Sequence, residues 1–205
     1  MIVIIDYGLG NLTSVKNALD LLKIDSKITS DIKEIEKSDK IILPGVGAFG
    51  YGIENLKNLG LINTLNEQVI EKKKPFLGIC LGMQLICKKS YEEGEFNGLG
   101  WIDTEVVRFD LKDKKLLVPH IGWNEVECNL DSPILSGGNQ KQTFYFVHSY
   151  YPDITDKNIV MGWCEYGIKF PAIIEKDNIF AVQFHPEKSQ TEGLEILRKF
   201  SEISN

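Results

Sequence analysis

The segment Pro75-Phe-Leu-Gly-Ile-Cys-Leu-Gly-Met-Gln84 restricts the fold of this chain more than any other. An apolar run of Phe76, Leu77 and Ile79 ends in a cysteine framed by Gly78 and Gly82, and the helix-forming Met83, Gln84, Leu85 and Ile86 follow. This order predicts a strand, a tight turn and the start of a helix, with Cys80 at the turn. Glycines there let the backbone bend sharply and let a substrate approach the sulfur. Amides at a helix start favour negative charge on the sulfur and on an oxyanion forming beside it. A buried cysteine alone is usually a small apolar residue, so a chemical role for Cys80 needs partners elsewhere in the chain.

The surrounding sequence predicts how that elbow is framed. Met1–Ile5 reads as a buried strand, and Asn11 as the cap of a helix with the apolar stripe Val15, Ala18, Leu19 and Leu22. Lys27–Thr29 reads as a weak strand. Lys40–Leu43 reads as a strand ended by Pro44-Gly45, and helical patterns cover Gly52–Leu59 and Leu61–Glu71. Alternation of this kind favours parallel strands with helices on both faces. The second half is strand-rich, with Glu105–Phe109, Trp123–Glu127, Phe144–His148, Ile159–Trp163, Ala172–Glu175 and Phe180–Phe184 separated by turn signals such as Gly137-Gly138 and Asp177-Asn178. Residues 110–117 and 129–142 read as loops. Thr191–Ile203 closes the chain as an amphipathic helix with Leu194, Leu197 and Phe200 on one side. With no repeat, low-complexity tract or long linker, one mixed-sheet α/β domain spanning 1–205 is expected, its site beyond the carboxyl ends of the parallel strands.

Phe180-Ala-Val-Gln-Phe-His-Pro-Glu187 supplies the partners. Alternate residues of an extended segment face the same way, which puts His185 and Glu187 on one side with Pro186 keeping the backbone extended between them. A carboxylate beside an imidazole fixes its tautomer and stabilises the imidazolium once a proton is taken. A cysteine elbow with a histidine–glutamate pair meets the requirements of covalent acyl transfer. Cys87 reads as a packing residue two turns further along the helix that follows the elbow, and Cys128 and Cys164 also read as packing.

Composition removes several classes of function. The 205-residue chain carries a net charge of −6, a poor match to a phosphate backbone. The run Lys72 to Lys74 reads as the solvated end of a helix. No segment reaches the ~18 apolar residues of a membrane span, and the apolar N-terminus has neither a basic leader nor a small-residue cleavage site. The four cysteines form no CxxC pair, so neither a zinc site nor another metal or cofactor is expected. Reduced thiols and a cytoplasmic location are expected.

The elbow Gly78–Gln84 and the pair in His185-Pro-Glu187 resemble those of the triad-type, or class I, glutamine amidotransferases. Asp6-Tyr-Gly-Leu-Gly-Asn11, Pro44-Gly-Val-Gly-Ala-Phe-Gly50, Pro119-His-Ile-Gly-Trp-Asn124, Tyr145-Phe-Val-His-Ser-Tyr150 and Phe184-His-Pro-Glu-Lys-Ser189 narrow the resemblance to the glutaminase subunits of imidazole glycerol phosphate synthases. The resemblance runs from Met1 to the final helix. It implies a three-layer, flavodoxin-like α/β fold, a mixed sheet flanked by helices. It also implies that Cys80 attacks glutamine, that His185 relays protons and that Glu187 orients His185. The backbone N–H groups of Leu81 and Val46 would hold the oxyanion, with Val46 in a glycine-flanked loop that can turn on activation. Gly45, Gly47, Gly82, Gln84, Ser149 and Tyr150 would line the glutamine pocket. An ordinary glycine-rich turn at Pro44–Gly50 fits the same residues.

The partner implied by the resemblance is a (β/α)8 cyclase subunit that receives ammonia through its barrel and makes imidazole glycerol phosphate and an aminoimidazole carboxamide ribotide in histidine biosynthesis. A barrel of ~250 residues does not fit in this chain, so the cyclase would be a separate polypeptide forming a heterodimer. Asn11, Trp123, Tyr145 and Lys188 match positions at or near the subunit interface, although exposed polar residues and aromatic packing would look the same. One alternative keeps the chemistry and supplies a paralogous pair in surface-sugar modification. Others are a non-catalytic scaffold, which an intact Cys80, His185 and Glu187 argue against, and a cysteine hydrolase or chaperone of similar fold, which needs neither the His-Pro-Glu placement nor the Pro119–Asn124 motif.

Overall fold

Ile2–Ile5 (β1) is buried at every position, a pattern for a strand covered on both faces. Its alternate residues enter different cores, Ile2 and Ile4 one and Val3 and Ile5 the other. The computed structural model describes residues 1–112, 115–135 and 137–204. The chain continues through α1 (Leu12–Leu21), β2 (Ser26–Thr29), α2 (Ile32–Lys37), β3 (Lys40–Gly45), α3 (Phe49–Asn58), α4 (Leu61–Leu65), a π-helical turn at Asn66–Glu71, β4 (Phe76–Cys80) and α5 (Leu81–Leu85). There follow β5 (Cys87–Ser90), β6 (Phe96–Asn97), β7 (Ile102–Arg108), β8 (His120–Cys128), β9 (Lys141–His148), β10 (Tyr150–Asp153), β11 (Val160–Glu165), β12 (Lys169–Lys176), β13 (Ile179–Val182), a 3₁₀ turn at Pro186–Lys188 and α6 (Gln190–Glu202).

A nine-stranded sheet runs in the order β2-β1-β3-β4-β13-β12-β11-β8-β9. Its first five strands are parallel to their neighbours, and the remaining pairings are antiparallel. Helices α1 and α6 cover one face, where Leu19, Leu197 and Phe200 join Ile42, Leu77 and Phe180. The other face packs on α3, α4 and a four-stranded sheet, β10-β7-β5-β6, through Leu56, Leu61, Trp101 and Val106. This is the mixed α/β architecture, with a large sheet flanked by helices, that the sequence predicts.

The topology delivers three segments to one place. Gly45 at the end of β3 pairs with Cys80 at the end of β4, and Val182 at the end of β13 pairs with Ile79. The loop after β3, the cysteine elbow and the His185 segment therefore leave adjacent parallel strands at their carboxyl ends, the usual location of sites in such sheets.

Several expectations need correction. The helix after the elbow has five residues, and Cys87 opens strand β5 rather than lying two turns along that helix. The predicted helix Leu61–Glu71 divides into α4 and a π-helical turn. Lys74 is not solvated: it is buried, and its Nζ donates to the carbonyls of Ile35 and Glu36 and to Ser38 Oγ. His185 to Glu187 is not extended, because β13 ends at Val182 and Pro186 opens a 3₁₀ turn. Residues 141 and 142, read as loop, begin β9, whereas 110–112 and 129–135 lie outside strands as predicted; positions 113, 114 and 136 of those loops are outside the described residues.

Candidate active site

Cys80 takes φ 53° and ψ −107°, a conformation that side chains with a Cβ rarely adopt and that surrounding structure must enforce. The enforcement is close backbone packing. A Cβ on Gly82 would lie 1.8 Å from the Leu43 carbonyl oxygen, and one on Gly78 would lie 2.8 Å from the Gly82 oxygen. The elbow therefore sits directly against β3 and presents the thiol at its apex. Cys80 Sγ lies 3.9 Å from the Val147 carbonyl oxygen and receives the Gln183 Nε2 amide at 3.7 Å.

His185 is buried, and its backbone N–H donates to the Tyr145 carbonyl at 2.9 Å. Its Nδ1 faces Glu187 Oε1 at 2.8 Å, so Nδ1 carries the proton and donates to the carboxylate. The turn at Pro186 brings the two side chains together, in place of strand alternation. Nε2 has no hydrogen-bond partner of good geometry among the described residues. Burial pulls the imidazole pKa down, but hydrogen bonding and charge from Cys80 and Glu187 outweigh burial and hold it above the usual histidine range. Cys80 is thus electrostatically coupled to the ring whose outer nitrogen Glu187 secures.

A cavity of about 520 Å³ opens over Cys80, within the size range of small-molecule sites. Val46, Gly47, Leu81, Gln84, Ser149, Tyr150 and Lys188 line it together with Cys80. Gly45 and Gly82 do not: a Cβ on Gly45 would lie 2.1 Å from the Tyr7 hydroxyl, so both glycines are spacers for close packing. The oxyanion candidates flank the thiol, Leu81 as the first residue of α5 and Val46 directly after β3. With only five residues in α5, the local Leu81 N–H matters more than a helix dipole.

Sequence reading gave no role to Gln183, Glu92 or His148. Gln183 Oε1 accepts from Gln84 Nε2 at 3.1 Å while its own amide reaches the thiol; its position two residues before His185 was the available signal. Glu92 lines the cavity and accepts from the Phe49 N–H at 2.7 Å, and burial raises its pKa. Nothing local in Tyr91-Glu-Glu93 marks it.

Of the positions matched to an interface, three meet one another through their side chains. Trp123 on β8 is 48% exposed and meets Tyr145 on β9 at a ring separation of 6.0 Å, and Lys188 Nζ stands 5.9 Å from the Tyr145 ring. Asn11 is also exposed, but its Oδ1 caps α1 by accepting from the Ser14 N–H. Among the described residues no cluster of His, Cys, Asp and Glu has the makings of a metal site, and no helix is long and apolar enough to cross a membrane.

Comparison with known proteins agrees with this geometry. The family model described as glutamine amidotransferase class-I matches residues 3–203. The chain is 48% identical to imidazole glycerol phosphate synthase subunit HisH 2 of Pseudomonas aeruginosa, over 99% of its own length and 100% of that protein. It is 49% identical to subunit HisH of Caldanaerobacter subterraneus subsp. tengcongensis, over 99% and 98%. Among solved structures, one described as a glutamine amidotransferase superposes with a TM-score of 0.75 at 20% identity, covering 98% of this chain and 97% of that one. A glutamine amidotransferase from Thermotoga maritima gives 0.69 at 17% identity, covering 98% of both chains. At such identities the structures speak to fold, and the sequence matches carry the assignment: this chain belongs to the class-I glutamine amidotransferase family, in the branch of imidazole glycerol phosphate synthase HisH subunits.

Proposed function

We propose that residues 1–205 act as one glutaminase domain that hydrolyses glutamine and passes the ammonia to a separate barrel-shaped cyclase in a cytoplasmic imidazole glycerol phosphate synthase. The observation that carries the reading is that Cys80, held at its strained elbow on the wall of the cavity, interacts with the His185 ring whose Nδ1 is bound to Glu187. Cys80 Sγ attacks the side-chain amide carbon of glutamine, and the N–H groups of Leu81 and Val46 hold the oxyanion. His185 moves the thiol proton to the leaving nitrogen, and ammonia departs from a glutamyl thioester. Water, deprotonated by His185, then releases glutamate and restores the thiol. Glu187 keeps the imidazole in the working tautomer throughout. Glu92 supplies a carboxylate for the substrate ammonium group, with Gln84, Ser149 and Tyr150 completing the pocket.

The face carrying Trp123, Tyr145 and Lys188 fits the cyclase contact, because it adjoins the cavity at Lys188 and leaves an aromatic side chain exposed. Cys80→Ala in the two-subunit complex is expected to abolish glutamine-dependent product formation while ammonium-fed synthesis persists. Loss of both activities would overturn the reading. A second reading, the same chemistry feeding a sugar-modifying partner, draws on one comparison. The chain is 46% identical to HisH 2 and 45% identical to HisH 1 of one organism, Methanococcus maripaludis, so likeness alone does not choose between paralogues. Rescue of a histidine auxotroph lacking its own glutaminase subunit separates the two.

A further inference from the structure

Two buried histidines outside the catalytic pair are joined in a directional hydrogen-bond chain. His148 Nδ1 lies 2.9 Å from the Tyr150 carbonyl oxygen. A carbonyl only accepts, so Nδ1 carries a proton. His120 Nδ1 lies 3.1 Å from His148 Nε2. In a neutral His148 that nitrogen accepts, which makes His120 Nδ1 the donor and leaves His120 Nε2 as an acceptor for Asn124 Nδ2 at 3.4 Å. The Asn124 amide orientation is fixed independently, since Nδ2 also donates to the Glu165 carbonyl and Oδ1 accepts from the Glu125 N–H. His120 is stacked between Tyr166 and Phe146, at ring separations of 4.0 and 4.8 Å. Burial holds both rings neutral, His120 with a pKa of about 4 and His148 of about 3.

The chain continues to the nucleophile. The Tyr150 oxygen that His148 holds also accepts from Gln84 Nε2 at 2.9 Å, Gln84 Nε2 reaches Gln183 Oε1, and Gln183 Nε2 reaches Cys80 Sγ. His148, Gln84 and Tyr150 all line the cavity. We propose that His148 is a positioning residue for glutamine turnover: its Nδ1–H, held in that tautomer by His120, fixes the Tyr150 carbonyl that anchors Gln84, and so sets the pocket wall and the amide beside the thiol. This inference rests on the glutaminase reading above and adds residues to it.

The test uses the full chain with its cyclase partner. His148→Leu removes the donor and leaves His120 Nδ1–H unpaired, so kcat/KM for glutamine is expected to fall about 10- to 100-fold, while ammonium-fed synthesis is retained. His148→Asn offers an amide N–H in place of Nδ1–H and is expected to recover most of that loss. In the unmodified protein, nitrogen-15 shifts of both rings at neutral pH are expected to show protonated Nδ1 and bare Nε2, a readout independent of activity and of variant folding. An Nε2-protonated His148, or a His148→Leu enzyme with unchanged kcat/KM, would overturn the inference alone. A wild-type complex that never releases glutamate from glutamine would overturn the glutaminase reading with it.

Discussion

At the scale of single residues, the site depends on what touches one sulfur atom. Besides His185, Gln183 Nε2 and the Val147 carbonyl approach Cys80 Sγ, and of the two only the amide donates. A donor to sulfur stabilises the thiolate more than the thiol, and hydrogen bonds to charged groups are worth about 1.5–3 kcal/mol. Gln183→Leu, which preserves bulk and removes the donor, is therefore expected to lower kcat/KM for glutamine about 10- to 100-fold. Ammonium-fed synthesis by the complex is the control, and unchanged glutamine kinetics would show that the amide only packs. The same contacts explain the limits of reading this site from sequence. Cys80, His185 and Glu187 declare themselves through local motifs, because an elbow and a histidine–carboxylate pair are built from neighbours in sequence. Gln183 acts on a residue 103 positions away, and Glu92 bonds to an amide 43 positions away. Such partners become visible only once the fold sets β13 beside β4 and the segment after β5 against the start of α3.

At the scale of elements, legibility follows burial. Strands β1, β3 and β4 are covered on both faces and read as unbroken apolar runs, so their positions are plain in the sequence. Strand β5, Cys87-Lys-Lys-Ser90, has two lysines between buried ends, and β6 spans two residues, so neither carries a pattern to detect. The helix after the elbow is over-read for the opposite reason: every residue of α5 is buried, so no polar face marks where it stops. The hairpin β8–β9 has a consequence of its own, because it pairs His120 with His148. Both rings have folded-state pKa values near 4 and 3, below the unfolded value of 6.5. On acidification the unfolded chain takes up protons at these positions before the folded chain does, so stability falls with falling pH from about 6.5. Between pH 6.5 and 5, above the carboxylate range, the pair is expected to cost up to about 3 kcal/mol. Urea midpoints measured across that interval should drop, and His120→Phe, which keeps the stacked ring, should flatten the drop by about half. An identical slope in that variant would mean that His120 is protonated in the fold.

At the scale of the whole molecule, the sheet separates chemistry from docking while keeping them contiguous. The parallel half delivers the thiol and imidazole to its carboxyl edge, and the antiparallel half extends this edge into the β8–β9 hairpin, where Trp123 and Tyr145 stand in register. The two regions meet at the turn after β13: His185 N–H bonds to Tyr145 O, and the Tyr145 N–H to Ser189 Oγ. Strand β9 therefore contacts the catalytic segment through its backbone and offers Tyr145 outward with Trp123. Trp123 is 48% exposed, and Tyr145 is its ring neighbour, so truncating it removes little that holds the fold. A tryptophan buried at the centre of an interface typically contributes about 2 kcal/mol or more to binding, about 30-fold in affinity. Trp123→Ala is accordingly expected to weaken association with the cyclase subunit by about that factor in titration calorimetry, with the thermal midpoint of the isolated chain within about 2 °C of wild type. If the thermal midpoint falls instead while affinity holds, Trp123 belongs to the packing of the hairpin and the docking face lies elsewhere.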